Sequence, residues 1–261
     1  MISSPWRTGP LRWTEMGPND GRGLLLVHSL GTDSRMWQPQ LDAFAAVRRV
    51  VAVDLPGHGR SLAQPGEYRL EDLGQDLLLV ADQAGHTRFD VCGISLGGML
   101  GLWLAANAPE RILTLVASNT AARLGSEEQW SVRMQTVLEQ GMEAIRPTVM
   151  TRFFTPGFDQ RRPAQFGAVT EMFRAVDPVG YAGCCALLRD ADISDEVAAI
   201  RCPTLIIGGE EDVATPPPQA EWLHRQIRGS RLQIIPQAAH LASLEQPETF
   251  TRLVLTELGW S

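Results

Sequence analysis

The chain has 261 residues, 44% of them hydrophobic, and a formal net charge of −7. That length and apolar content suit one large domain with a sizeable core, and an acidic balance without a basic run argues against a nucleic-acid or polyanion surface. All 23 basic residues are arginine, which excludes any mechanism that needs a lysine, such as a Schiff base.

The N-terminal stretch MISSPWRTGPLRWTEMG lacks a basic start followed by an apolar run, and the chain contains no run of about 18 apolar residues. No targeting segment and no membrane association are expected. The four cysteines, Cys92, Cys184, Cys185 and Cys202, form no CxxC pair. That pattern predicts reduced thiols and a cytoplasmic setting rather than a disulfide framework or a zinc site.

The apolar run GLLLVH, 23–28, reads as a buried strand and RVVAVD, 49–54, as a second, with a helical spacing in SRMWQPQLDAFAAV between them. A helix follows in LEDLGQDLLLVADQAG, closed by Gly85. Then come a strand in RFDVCGIS, a helix in LGGMLGLWLAANAPE stopped at Pro109, and a strand in RILTLVASNT. Strand alternating with helix predicts an α/β fold, with a mostly parallel sheet covered by helices on both faces.

From about Arg123 to Leu188 the alternation stops. Helical patterns in EEQWSVRMQTVLEQGMEAI and PAQFGAVTEMFRAV flank the aromatic phrase RFFTPGF and precede GYAGCC, with no convincing strand. The economical reading is a helical lid inserted into one domain. Residues 1–122 and 189–261 then form the two parts of the core, and 123–188 the lid. The alternation resumes with a strand in CPTLIIGG, a helix in PPPQAEWLHRQI, a strand in RLQIIP and a helix in EQPETFTRLVLTEL.

Between the third strand and the helix after it lies Gly93-Ile94-Ser95-Leu96-Gly97, a G-x-S-x-G pattern at a strand-to-helix turn. There it has mechanical meaning. A sharp turn exposes the Ser95 hydroxyl, and the following helix points backbone N–H groups, that of Leu96 first, at an oxyanion. A serine nucleophile needs a base oriented by an acid. Of the five histidines, His28 ends a strand, His58 lies in the glycine-rich DLPGHGRS, and His86 and His224 sit at polar helix ends. His240 follows the last strand, at the rim where strand C-termini gather, and is the expected base. Glu210, Glu211 and Asp212 follow the preceding strand. Asp212 is the expected acid and Glu210 its rival. A second oxyanion donor is expected from the HSLGTD loop, at the N–H of Leu30, with Ser29 beside it.

The phrases GISLGG, DLPGHGRS, GGEEDVATPP and AAHL resemble the α/β-hydrolases. HSLGTDSRMWQPQL, SNTAARLG, FTPGF and DPVGYAGCCALLRDADI are further similar to the bacterial 3-oxoadipate enol-lactonases, over essentially the whole chain. The resemblance implies a cofactor-free, metal-free serine hydrolase acting on a small lactone or ester, 3-oxoadipate enol-lactone in the β-ketoadipate pathway. Some relatives carry a fused decarboxylase domain, which is not expected here. Because that substrate is a carboxylate and the chain is acidic, a local cation is needed. The lid offers Arg123, Arg133, Arg146, Arg152, Arg161, Arg162 and Arg174, of which Arg133, sharing a helix with Trp130, is expected to turn inward. Trp130, Phe153, Phe154 and Tyr181 are candidates for the pocket wall or for plain core packing. Other lactonases, such as acyl-homoserine lactonases, carboxylesterases and, more remotely, a small-molecule receptor remain open on the same scaffold. Nothing in the sequence selects a monomer over a homo-oligomer.

Overall fold

The computed structural model describes residues 11–18 and 22–259. The first ten residues of the N-terminal stretch read above as untargeted lie outside that range. Seven strands form one sheet: β1 (Arg12–Met16), β2 (Gly23–Val27), β3 (Arg49–Asp54), β4 (Phe89–Ile94), β5 (Ile112–Ser118), β6 (Thr204–Gly209) and β7 (Arg231–Ile235). Their order across the sheet is β1-β3-β2-β4-β5-β6-β7. Only β1 is antiparallel, pairing with β3, while the remaining pairs are parallel. Strands β2 and β4 are buried at every position, as expected of a parallel sheet covered on both faces, and this is why they read as continuous apolar runs.

Helices α1 (Gln38–Ala45) and α11 (Pro247–Glu257) pack against one another and on one face, reaching β3, β5 and β6 between them. On the other side α2 (Leu70–Gln83) backs α3 (Leu96–Asn107), which lies on β2, β4 and β5, and α9 (Pro217–Gln226) lies on β6 and β7. Helix α3 is apolar on all sides because it is buried on nearly all of them. Among the described residues no helix is long and apolar enough to cross a membrane.

Between β5 and β6 the chain forms five helices: α4 (Glu127–Gln140), α5 (Arg146–Phe153), α6 (Phe158–Arg161), α7 (Pro163–Arg174) and α8 (Pro178–Asp190). A short helix α10 (Ala242–Glu245) precedes α11. Local signals set their starts. The Ser126 side chain accepts the Gln129 N–H at α4, and Asp177 accepts the Val179 N–H ahead of Pro178 at α8. Helix α8, not anticipated from GYAGCC, packs tightly on α4 and seats itself on the core through Gly180. A Cβ there would meet the Gly57 Cα at 2.5 Å. The Asp177 N–H also donates to Gly57 O at 2.9 Å, so these helices are pinned to the loop after β3.

Candidate active site

Because six of the strands run parallel, the residues that follow β2, β4, β5, β6 and β7 collect along one edge of the sheet. Ser95 joins β4 to α3 with φ 58 and ψ −116, a conformation that a non-glycine residue holds only under external constraint. The constraint is visible. A Cβ on Gly97 would lie 2.1 Å from Val27 O, and one on Gly93 2.1 Å from Gly97 O. Only bare backbone lets β2, β4 and α3 approach closely enough to make this turn. Leu96 is the first residue of α3, so its N–H has no intrahelical acceptor.

His240 follows β7, and its Nδ1 lies 2.9 Å from Asp212 Oδ2. Asp212 follows β6 and is buried. Its Oδ1 accepts the N–H groups of Ala214 and Thr215. Its Oδ2 accepts the Thr215 hydroxyl at 2.6 Å and the Asn119 amide at 2.9 Å. Burial pushes this carboxyl up. The charge of His240 and the hydrogen bonds from His240, Thr215 and Asn119 outweigh it and hold Asp212 at about 2. An ionised Asp212 can only accept, so Nδ1 of His240 carries the donated proton and Nε2 is left free to take one. The ring of Phe153 stacks on that of His240 at a centroid distance of 6.0 Å. Glu210 accepts the Gln237 N–H at the surface, and Glu211 lies in a separate groove with Arg161 and Arg162. Neither reaches His240.

His28 and His58 are wholly buried and serve the loops instead. His58 Nδ1 pairs with Pro56 O at 2.9 Å and its Nε2 accepts the Gly31 N–H at 3.1 Å. His28 Nδ1 pairs with Ser29 O and its Nε2 accepts the Leu55 N–H. Burial, and then the neighbouring His28, holds His58 down at about 3, and burial also lowers His28. The two neutral rings tie the loop carrying Ser29 and Leu30 to the loop after β3. His86 rests against Gly23, at the far end of β2, and His224 pairs with Ser230.

Ser95 and His240 open onto a cavity of about 150 Å³ whose walls include Ser29, Leu30, Trp130, Arg133, Arg152, Phe153, Tyr181 and Thr215. Ser29 Oγ is buried there and has no hydrogen-bond partner among the described residues. The Arg133 guanidinium lies 4.9 Å over the Trp130 ring and beside the Tyr181 hydroxyl. Burial pushes Tyr181 up, with Arg133 opposing. Arg152, on α5, is lowered by burial and then by the like charge of Arg133. Among the described residues neither arginine is paired with a carboxylate. Elsewhere Arg123 pairs with Asp192, and Arg146 and Arg174 share Glu143.

One sequence expectation needs correction. Phe154 does not line this cavity. It turns away to stack on Phe158 at 4.3 Å, because α5 ends at Phe153 and the backbone becomes extended at Phe154. Phe153 takes the expected place. Arg152, one of seven lid arginines in the sequence reading, joins Arg133 in the wall. The four cysteines are free thiols, and burial pushes Cys185 up to about 12, which leaves it un-ionised at neutral pH.

The profile of the Alpha/beta hydrolase family matches residues 24–253. The chain is 36% identical to 3-oxoadipate enol-lactonase 2 of Acinetobacter baylyi, over 94% of this chain and 91% of that protein. To 3-oxoadipate enol-lactonase 1 of the same organism it is 33% identical, over 91% and 88%. The crystal structure of the enol-lactonase from Burkholderia xenovorans superposes with a TM-score of 0.93 at 35% identity, covering 95% of this chain and 96% of that one.

Proposed function

The chain belongs to the alpha/beta hydrolase family and is a carboxylic ester hydrolase, and from that premise we propose that it hydrolyses 3-oxoadipate enol-lactone to 3-oxoadipate. The observation that carries this reading is the pair of guanidinium groups, Arg133 and Arg152, left without carboxylates in the same small cavity as Ser95 and His240. Two half-buried cations lining the same cavity as a nucleophile suit a substrate that brings its own anion. A cavity of about 150 Å³ suits a compact lactone.

In the proposed reaction Ser95 Oγ attacks the lactone carbonyl while His240 Nε2 takes the hydroxyl proton and Asp212 stabilises the imidazolium. The N–H groups of Leu30 and Leu96 receive the oxyanion. Collapse of the tetrahedral adduct breaks the ring C–O bond. The expelled enol oxygen takes the proton from His240 and the enol tautomerises to the ketone, which disfavours re-closure. Water, deprotonated by His240, then cleaves the acyl-serine ester. The carboxylate already on the substrate is held by Arg133, with Arg152 adding to the field. The pathway is that of aromatic catabolism implied by the resemblance, and the four free thiols support a cytoplasmic setting.

Steady-state kinetics of Arg133→Ala on the enol-lactone and on uncharged 4-nitrophenyl acetate test this. Loss of a charged hydrogen bond should raise KM for the lactone roughly 10-fold or more and leave that for the ester little changed. An unchanged lactone KM would remove the anion-anchoring role and favour an esterase of neutral substrates.

A further inference from the structure

Three consecutive residues at the end of β5 take no part in the reaction as written, yet they hold both halves of the site. Ser118 O accepts the Ser95 N–H at 3.0 Å, and the Thr120 hydroxyl donates to Ser95 O at 2.8 Å. Both backbone groups of the strained serine are therefore fixed from β5. Between them Asn119 sits at φ 45 with its own N–H donated to Ile207 O at 2.7 Å. Its side-chain nitrogen donates to Asp212 Oδ2 at 2.9 Å and to Ala239 O at 3.1 Å. Its Oδ1 accepts the Ser118 hydroxyl at 2.7 Å. All three residues are buried.

The direction of this amide follows from its neighbours. A carboxylate and a peptide carbonyl can only accept, so the nitrogen must face Asp212 and Ala239, and the Ser118 hydroxyl satisfies the remaining oxygen. Ala239 is the residue before His240, and its N–H donates in turn to Glu245 Oε2 at 2.6 Å. The peptide that carries the base is thus held at both ends.

We propose that Asn119 is a positioning residue: its amide locks the Asp212 carboxylate to the backbone that bears His240, while Ser118 and Thr120 hold Ser95, so one segment, from the last residue of β5 into the loop after it, sets nucleophile, base and acid against one another. This rests on the assignment of Ser95, His240 and Asp212 made under the proposed function. The amide also withdraws part of the charge of Oδ2, the oxygen that receives His240 Nδ1. The titratable group bearing on Asp212 is His240. Without the amide, more of the carboxylate charge falls on Nδ1 and a proton taken up by the imidazole is held more tightly.

The test compares the full-length wild type with Asn119→Gly, Ser118→Ala and Ser95→Ala, using 4-nitrophenyl acetate and the enol-lactone, alongside thermal unfolding. Glycine accepts the positive φ, so Asn119→Gly removes the amide without straining the backbone. The scale of a charge-assisted hydrogen bond predicts a fall in kcat of about 10- to 100-fold with KM nearly unchanged. The acidic limb of the kcat/KM profile should move to higher pH, a change that loss of stability alone does not produce. Ser118→Ala, which frees the amide to turn, should shift both readouts in the same direction by less, and it decides the matter if Asn119→Gly does not fold. Wild-type kcat and an unmoved acidic limb in a folded Asn119→Gly protein, with Ser95→Ala inactive, would overturn the role of Asn119 alone. Turnover surviving in Ser95→Ala would instead overturn the nucleophile assignment beneath it.

Discussion

His58 gives a prediction about acid stability that can be worked through from the structure. Its ring is wholly buried, with Nδ1 donating to Pro56 O and Nε2 accepting the Gly31 N–H. A proton on Nε2 would set two donors against each other with no water to separate them. The folded protein therefore resists protonation until about pH 3, whereas an unfolded histidine titrates near its ordinary value of 6.5. The folded value is the lower one, so between those limits the unfolded chain binds more protons. The stability from this site is fully present above pH 6.5 and is lost as pH falls below it. Going from pH 7.5 to 5.0 spans 1.5 units below the unfolded value, or about 2 kcal/mol. His28, lowered in the same direction by burial, adds to the loss. Urea unfolding at half-unit intervals over this range, for the wild type and His58→Gln, is the assay. His58→Gln should be less stable at pH 7.5 by about 1 kcal/mol through the lost bond to Pro56, and its stability should fall with pH less steeply by the stated amount. Equal pH slopes in the two proteins would refute the assignment of His58 as a neutral tie between the loops after β2 and β3.

Three further outcomes follow, from the turn at Ser95, from an open glycine on α7 and from Asp212. Gly97→Ala places a Cβ against the Val27 carbonyl, which cannot swing aside, so it should destabilise by about 3 kcal/mol and reduce turnover. Gly167→Ala, on α7 with nothing within 4 Å, should instead be neutral or stabilise by up to about 1 kcal/mol, and thermal melts separate the two. Asp212 is held at about 2 against an ordinary aspartate value of 3.8. Its contribution of about 2 kcal/mol is present above pH 4 and lost as pH falls toward 2. Acid unfolding of Asp212→Asn should lack that component, and an acid transition identical to wild type would contradict it.

The parallel strands were legible because burial on both faces leaves an uninterrupted apolar run, as in GLLLVH and RVVAVD. Strand β1 was not legible. RWTEM lies at the sheet edge with four of its five residues exposed, so neither an apolar run nor a clean alternation marks it. Helix α8 was hidden for another reason. Glycines weaken its local propensity, yet they are what allow the close contact with Gly57, and tertiary packing overrides propensity. At the site, the serine turn announces itself within five residues. His240 was legible from where strand ends gather, and Asp212 from the chain order Ser, Asp, His of the fold that the sequence resembles, with Glu210 left as its rival. Asn119 and Thr215 carry no such signal, since their roles exist only once β5 and the loop after β6 are side by side. Which of the neighbouring candidates Phe153 and Phe154 lines the wall depended on the residue at which α5 ends, and helix boundaries are the least certain feature of a sequence reading.

The account stands most directly on one measurement: steady-state hydrolysis of freshly generated 3-oxoadipate enol-lactone beside 4-nitrophenyl acetate, with wild type and Ser95→Ala. It predicts a kcat/KM for the lactone at least about 100-fold above that for the ester, the scale of one well-placed charged contact, and no turnover of either by Ser95→Ala. Cleavage of the ester with the lactone left intact would contradict the proposed substrate, and turnover by Ser95→Ala would contradict the mechanism.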